Sequence, residues 1–260
     1  MLSGGGEPRT DRDKLRVSRR FQTGLYFAPR VTFVVLAVLV ILHIGTGLWD
    51  VGHNRSGWLG FLIGERSDTT LIVWGARTRW AIRRAQAWRM LSYGGLHGNL
   101  LHLGMNGLAL AGLGRLTETV FGGRRFLMVL LVSVLAGGCA SQAGGVELSV
   151  GVSGGVFGLM GALVAYGFRH RRALPEELRS LFGRQLYPWV ALNLLLGLPL
   201  AGVVDNFAHV GGLVAGAMLG PLLADHLLDN RRASATGDRV VLAVNVALLG
   251  WVGWGVIGRA

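Results

Sequence analysis

Seven charge-poor apolar stretches, several of them separated by arginine clusters, constrain this chain more than any other feature. They run from Val31 to Trp49, about His97 to Leu116, just past Arg125 to Gln142, Val152 to Phe168, Leu186 to Val204, Phe207 to Leu223, and Val240 to Ile257. An α-helix crosses the hydrocarbon core with about 20 apolar residues, and only helices and closed barrels satisfy every backbone polar group there. With 51% hydrophobic and 15% charged residues, the chain reads as all-α: a polytopic membrane helical bundle of about seven transmembrane helices. The net charge is +12, and Lys14 is the only lysine. The arginines cluster between apolar runs, so they read as loop charges that set topology and not as a nucleic-acid face. Cys139 is the single cysteine, which excludes an intrachain disulfide. Neither a metal-ligand cluster nor a phosphate-cradling loop is present, so no metal and no cofactor are expected.

Residues 1–30 are Gly-, Arg- and Asp-rich and read as a mobile cytoplasmic tail. Residues 50–95 interleave Trp58, Trp74, Trp80 and Trp88 with Arg55, Arg66, Arg77, Arg79, Arg83, Arg84 and Arg89, as short amphipathic interfacial pieces do. Loops after the second, fourth and sixth runs carry arginines, and those after the third and fifth carry none. The positive-inside rule then puts the N-terminus in the cytoplasm and, with seven spans, the C-terminus outside. The arginines of the first loop oppose this assignment.

Matched depth picks out a few polar side chains. Ser153 lies about 24 Å of helix from Arg169, His209 about 24 Å from Asp225, and His102 about 24 Å from Glu118. In a core about 30 Å thick, all three sit several ångströms below the outer surface. Polar and ionisable groups inside a span are costly and usually functional. A serine hydroxyl becomes a nucleophile when a base within hydrogen-bond reach takes its proton, and histidine suits that role. Asn106 shares a helix face with His102, and both can donate to an oxyanion along with the Ser153 backbone N–H. Taken singly, a buried His or Asn is more often an ordinary helix–helix hydrogen-bond partner than a catalytic group; together, at one depth, the set favours catalysis. Gly154, Gly158 and Gly161 on the fourth run, and Gly212, Gly216 and Gly220 on the sixth, recur at three- and four-residue spacing, which lets helices approach closely. Asp205 lies four residues before His209, where a triad acid would be placed to orient the imidazole.

Four motifs in order carry a resemblance to the rhomboid intramembrane serine proteases over nearly all of residues 31–228. They are Trp88-Arg89 in the first loop, His97-x4-His102-x3-Asn106 on the second span, Gly151-Val-Ser-Gly154 on the fourth, and Ala208-His209-Val-Gly-Gly212-x3-Gly216 on the sixth. The resemblance implies a rhomboid-like fold: a six-helix core at 31–228 with an amphipathic first loop, then a linker and a seventh helix at 229–260. It implies that Ser153 is the nucleophile and His209 the base of a dyad, which leaves Asp205 as a loop residue and not a third catalytic member. It further implies an oxyanion hole of His102, Asn106 and the Ser153 N–H, and structural roles for Trp88, Arg89, His97, Gly151, Gly154, Gly212 and Gly216. Phe157 stands where the family often has tyrosine, and an aromatic there can pack on the base.

The function expected is that of an intramembrane serine endopeptidase in the cell membrane. Its partners would be transmembrane protein substrates and the lipid bilayer, with no nucleic acid. The alternative is a catalytically inactive relative acting as a membrane chaperone or quality-control binding protein, but such relatives lack the serine or the histidine. A small transporter would show paired internal repeats or mid-span charges, and the chain shows neither.

Overall fold

The computed structural model describes residues 10–27, 29–53, 55, 57, 60–61, 64–197, 204–223, 227–228 and 235–258. Trp58, the end of the fifth apolar run (198–203) and most of the linker before the seventh (224–226 and 229–234) lie outside the described residues, as do 1–9. The chain forms α1 (Asp11–Phe27), α2 (Arg30–Gly52), α3 (Asp68–Trp74), β1 (Arg77–Thr78), α4 (Arg79–Arg83) and α5 (Arg89–Ser92). A 3-10 turn (Tyr93–Gly95) leads to α6 (Leu100–Phe121), α7 (Gly123–Ala143), β2 (Leu148–Ser149), α8 (Ser153–Arg169) and α9 (Glu176–Ser180). After a π turn (Leu181–Gln185) come α10 (Leu186–Leu196), α11 (Asn206–Leu219) and α12 (Ala235–Ile257). This is an all-α polytopic membrane bundle. By length and composition alone, α7, α12 and the stretch containing α2 can each cross a bilayer.

The core is built on α6, α7, α8 and α11, with α8 and α11 in the most intimate contact. The glycines explain this. A Cβ on Gly212 would run into the Gly154 carbonyl oxygen, one on Gly216 into that of Gly158, and one on Gly161 into that of Leu213. The two backbones touch because no side chain holds them apart. Both helices are short. The 17 residues of α8 and 14 of α11 rise about 25 and 21 Å, less than the roughly 30 Å hydrocarbon core. Their N-terminal ends are buried in protein, Val152 before α8 and Ala208 in the first turn of α11 being 2% exposed, which shields the unpaired N–H groups there from lipid.

Glu118 ties the other end together. Its carboxylate accepts hydrogen bonds from Val31 N at 3.0 Å, Thr32 N at 2.9 Å and Thr32 Oγ1 at 2.8 Å. An acidic group there satisfies donors that the first turn of α2 cannot pair internally and meets the positive end of its dipole.

Several boundaries and placements differ from the sequence expectation. The second membrane helix starts at Leu100 and not at His97, because the Asn99 side chain caps it by accepting from His102 N at 2.8 Å. His97 therefore precedes the helix. Over Asp11–Phe27 the expected mobile tail is corrected to a docked amphipathic helix. Val17 and Phe21, four residues apart, are buried, and the Phe21 ring meets Phe182 edge-on at 6.0 Å. Arg115 Nη2 donates to the Leu25 carbonyl at 2.9 Å.

The first loop is short helical pieces, as its composition suggests, and three of its seven arginines are buried in the fold. Arg66, Arg77 and Arg89 are 5%, 0% and 2% exposed. Arg89 Nη1 donates to the Ile72 and Ala76 carbonyls, both at 2.7 Å. Arg77 donates to Gln142 Oε1 at 3.0 Å and to the Val146 carbonyl at 2.9 Å. Burial pushes the Arg66 and Arg77 guanidinium groups below their ordinary range, opposed by the carboxylates of Asp50 and Asp205 respectively. Charges locked into carbonyl cages are not the mobile loop charges that the positive-inside rule counts, which removes Arg66, Arg77 and Arg89 from the conflict noted above; Arg55, Arg83 and Arg84 stay exposed.

Candidate active site

The entry into α8 is set by the first loop. β1 pairs antiparallel with β2, Arg77 opposite Ser149 and Thr78 opposite Leu148. Gly151 follows with φ +119°, and its N–H donates to the Tyr93 carbonyl at 3.0 Å. Glycine is needed on two counts: the left-handed backbone, and a Cβ that would lie 2.8 Å from His102 Nε2 and 3.6 Å from Asn106 Nδ2. The same clearance shows that the His102 and Asn106 side chains converge on the backbone two residues before Ser153. Asn106 Nδ2 is buried and has no partner among the described residues.

Ser153 is the first residue of α8. The N–H groups of a helix's first turn have no intrahelical acceptor and carry the positive end of its dipole. On α11, His209 is buried and its Nε2 lies 2.9 Å from Ser153 Oγ. The Phe157 ring, one turn into α8, lies nearly parallel to the imidazole, with centroids 4.3 Å apart and planes 13° apart. This stack limits rotation of the imidazole about its χ2 axis.

A hydroxyl so close to an imidazole nitrogen can pass its proton there, and the surrounding donors can take up negative charge on a carbonyl oxygen. Gly154 and Gly212 lie at the α8–α11 contact, where their missing side chains allow that approach. His97 is buried, its ring edge-on to His102 at 5.0 Å. Trp88 and Arg89 pack on each other, the guanidinium 5.0 Å over the indole, and Arg89 braces the first loop through the Ile72 and Ala76 carbonyls. Among the described residues no cluster of His, Cys, Asp and Glu could hold a metal.

Asp205 is the N-cap of α11. It accepts from Ala208 N at 3.0 Å and from Ser141 Oγ, and it makes no hydrogen bond to the imidazole. The group that does meet His209 Nδ1 is Asn206 Oδ1, at 3.3 Å. Sequence reasoning passed over Asn206, although its place three residues before His209, one helical turn away, was the available signal.

A family model described as "Rhomboid domain" matches residues 84–226. The chain is similar to "Rhomboid protease GluP" of Bacillus subtilis (strain 168), 32% identical over 181 residues, covering 70% of this chain and 34% of that protein. It is also similar to "RHOMBOID-like protein 4" of Arabidopsis thaliana, 36% identical over 163 residues, covering 62% and 40%. A third relative is "Rhomboid-like protease 3" of Toxoplasma gondii, 30% identical over 156 residues, covering 60% and 59%. The chain thus spans about a third to three-fifths of the length of these relatives. Since the matched domain takes in over half of its residues, and with them every helix that meets at Ser153, the chain belongs to the rhomboid family.

Proposed function

We propose that the chain is an intramembrane serine endopeptidase that hydrolyses peptide bonds in or near transmembrane segments of other membrane proteins. The observation that carries this is the 2.9 Å separation of Ser153 Oγ and His209 Nε2 at the buried start of two short helices. Ser153 Oγ attacks the scissile carbonyl carbon while His209 Nε2 takes its proton. The tetrahedral oxyanion receives hydrogen bonds from the Ser153 N–H, His102 and Asn106. The imidazolium then gives its proton to the leaving amine, and the amide C–N bond breaks to leave an acyl ester on Ser153. Water, deprotonated by His209, hydrolyses that ester. A peptide bond inside an intact helix is shielded, so a substrate span must unwind locally, and small or helix-breaking residues near its outer end favour this.

Cleavage of a single-span substrate in proteoliposomes tests the reading. The wild type cuts and His209→Ala does not. Binding without cleavage by both would instead support the inactive-chaperone alternative. Asn106→Ala is expected to lower kcat by about 10²–10³, with KM little changed, as loss of one oxyanion donor does. A change in KM alone would reassign Asn106 to substrate positioning.

The proposal extends to orientation: the N-terminus in the cytoplasm, the C-terminus outside, and the site opening outward in the cell membrane. Its supports are the loop arginines and the caged arginines of the first loop. The Arg125–Asp238 ion pair at 2.5 Å also puts the start of α12 at the same end of the bundle as the start of α7. In a Cys139→Ser background, an impermeant thiol reagent added to sealed cells should label Glu147→Cys and leave Arg171→Cys unlabelled. The reverse pattern would invert the topology and turn the site to the cytoplasm.

A further inference from the structure

We propose that Asn206 is the positioning residue for His209, fixing its tautomer and orientation, so that the working unit is Ser153–His209–Asn206 and not an unassisted pair. The inference rests on the Ser153–His209 reading above and goes beyond it. Its basis is an unambiguous amide orientation. Asn206 Nδ2 donates to the Leu194 carbonyl at 3.1 Å. A carbonyl only accepts, so the amide nitrogen must face Leu194 and the amide oxygen must face the imidazole. Asn206 Oδ1 therefore accepts from His209 Nδ1, 3.3 Å away, and that nitrogen must carry the proton. Nε2 is left with its lone pair directed at Ser153 Oγ, the only tautomer in which the imidazole can act as base.

The geometry around the amide is built for this. Asn206 is the first residue of α11 and His209 follows one turn later, so the two side chains stack on one helix face. A Cβ at Gly197 would occupy the place of the Asn206 amide, so the chain at the end of α10 leaves room for it. Asn206 is thus clamped between the last turn of α10 and the imidazole. Phe157 holds the ring face and Asn206 holds its far edge.

An amide also suits a membrane site better than the carboxylate of a conventional triad. An ionised side chain at this depth would carry a desolvation cost that a neutral amide avoids. The nearby carboxylate, Asp205, is held at the helix N-terminus by Ala208 N–H and Ser141, where the dipole offsets its charge. The charged and titratable groups that act on the imidazole are Asp205, from its own helix cap, and His102, from α6. From α8, Ser153 and Phe157 meet it without charge.

The test compares Asn206→Ala with Asn206→Asp, which keeps the acceptor facing Nδ1 and loses the donor to Leu194. Two readouts are taken on the full chain in lipid nanodiscs. One is the rate at which a fluorophosphonate probe modifies Ser153, alongside kcat and KM for a single-span substrate. The other is the nitrogen-15 spectrum of the His209 imidazole, assigned by difference from His209→Ala, which distinguishes Nδ1–H from Nε2–H. Asn206→Ala is expected to slow modification and kcat by about 10- to 10²-fold, the scale of a small misorientation at a reacting centre. KM should be unchanged, and Nε2–H should appear in the spectrum. Asn206→Asp should keep Nδ1 protonated and recover part of the rate lost in the alanine variant, the remainder reflecting the buried charge and the lost donor to Leu194. Wild-type rate and tautomer in Asn206→Ala would overturn the inference. So would equal impairment of both variants with Nδ1–H retained, which marks a packing role. A wild type that the probe does not modify would instead sink the Ser153–His209 reading, while the tautomer measurement would still decide the role of Asn206.

Discussion

Ser153→Ala is expected to abolish cleavage of a transmembrane substrate and all fluorophosphonate labelling while leaving the bundle folded. The change removes one oxygen from the first residue of α8 and keeps its backbone N–H, so the entry through Gly151, the Tyr93 carbonyl contact and the glycine face of α8 are untouched. Where serine and histidine act as one unit, losing the nucleophile costs on the order of 10⁶ in kcat. Wild-type and variant activity are compared in the same lipid, with thermal unfolding as the control for fold. His209 loses a hydrogen-bond partner in the variant, but it keeps Phe157 on its face and Asn206 at Nδ1, so a fall in stability should be small. Equal cleavage by the two proteins would remove Ser153 from the mechanism. A variant that binds substrate without cutting it would be a trap for identifying natural targets.

Much of the architecture was legible because the bilayer simplifies the problem. Apolar runs locate the membrane helices, to within about five residues at the ends described, except that the fifth, expected to reach Val204, forms helix only to Leu196 before the undescribed residues 198–203. The candidate site was picked out by the same reasoning: polar side chains expected at equal depth on different helices point to one place, and the structure brings Ser153 and His209 within 2.9 Å. What stayed hidden depends on contacts that leave no periodic trace. The β1–β2 pairing is two residues long on each side, too short for alternation to register. Docking of α1 rests on Val17 and Phe21 amid arginines, a signal diluted by the polar composition of the segment. The Asn99 cap that moves the start of α6 past His97 is a single hydrogen bond. The carbonyl cages around Arg77 and Arg89 need the folded loop before they exist at all, so the first loop read as a conflict in charge when it is a brace. Asn206 was missed because the neighbouring Asp205 offered the more familiar chemistry, and only coordinates show that the acid faces Ser141 and Ala208 N.

Gly212→Ala is expected to be both destabilising and nearly inactive, although alanine is the better helix former by about 1 kcal/mol. Propensity predicts a gain and packing predicts a loss, so the sign of the result decides which governs. A Cβ at 212 would run into the Gly154 backbone oxygen, and backbone cannot rotate away as a side chain can. The helices must part at the turn that carries Ser153. Overpacking of this kind costs typically about 1–3 kcal/mol. The catalytic cost should be larger in proportion, because a shift of about 1 Å at a reacting pair lowers rate by about 10²-fold, and the Ser153–His209 separation of 2.9 Å has no slack. Gly216→Ala, opposed to the Gly158 carbonyl a turn deeper, should lose as much stability with less direct effect on the serine. Gly253→Ala on α12 is the control: nothing lies within 4 Å of the added methyl, so unfolding temperature and kcat should stay at wild-type values. The measurements are thermal unfolding in one detergent and fluorophosphonate labelling rate for all three variants. If Gly212→Ala were stable and fully reactive, α8 and α11 would not be in backbone contact at the level of Ser153. The close approach that the proposed Ser153–His209 chemistry requires would then be wrong.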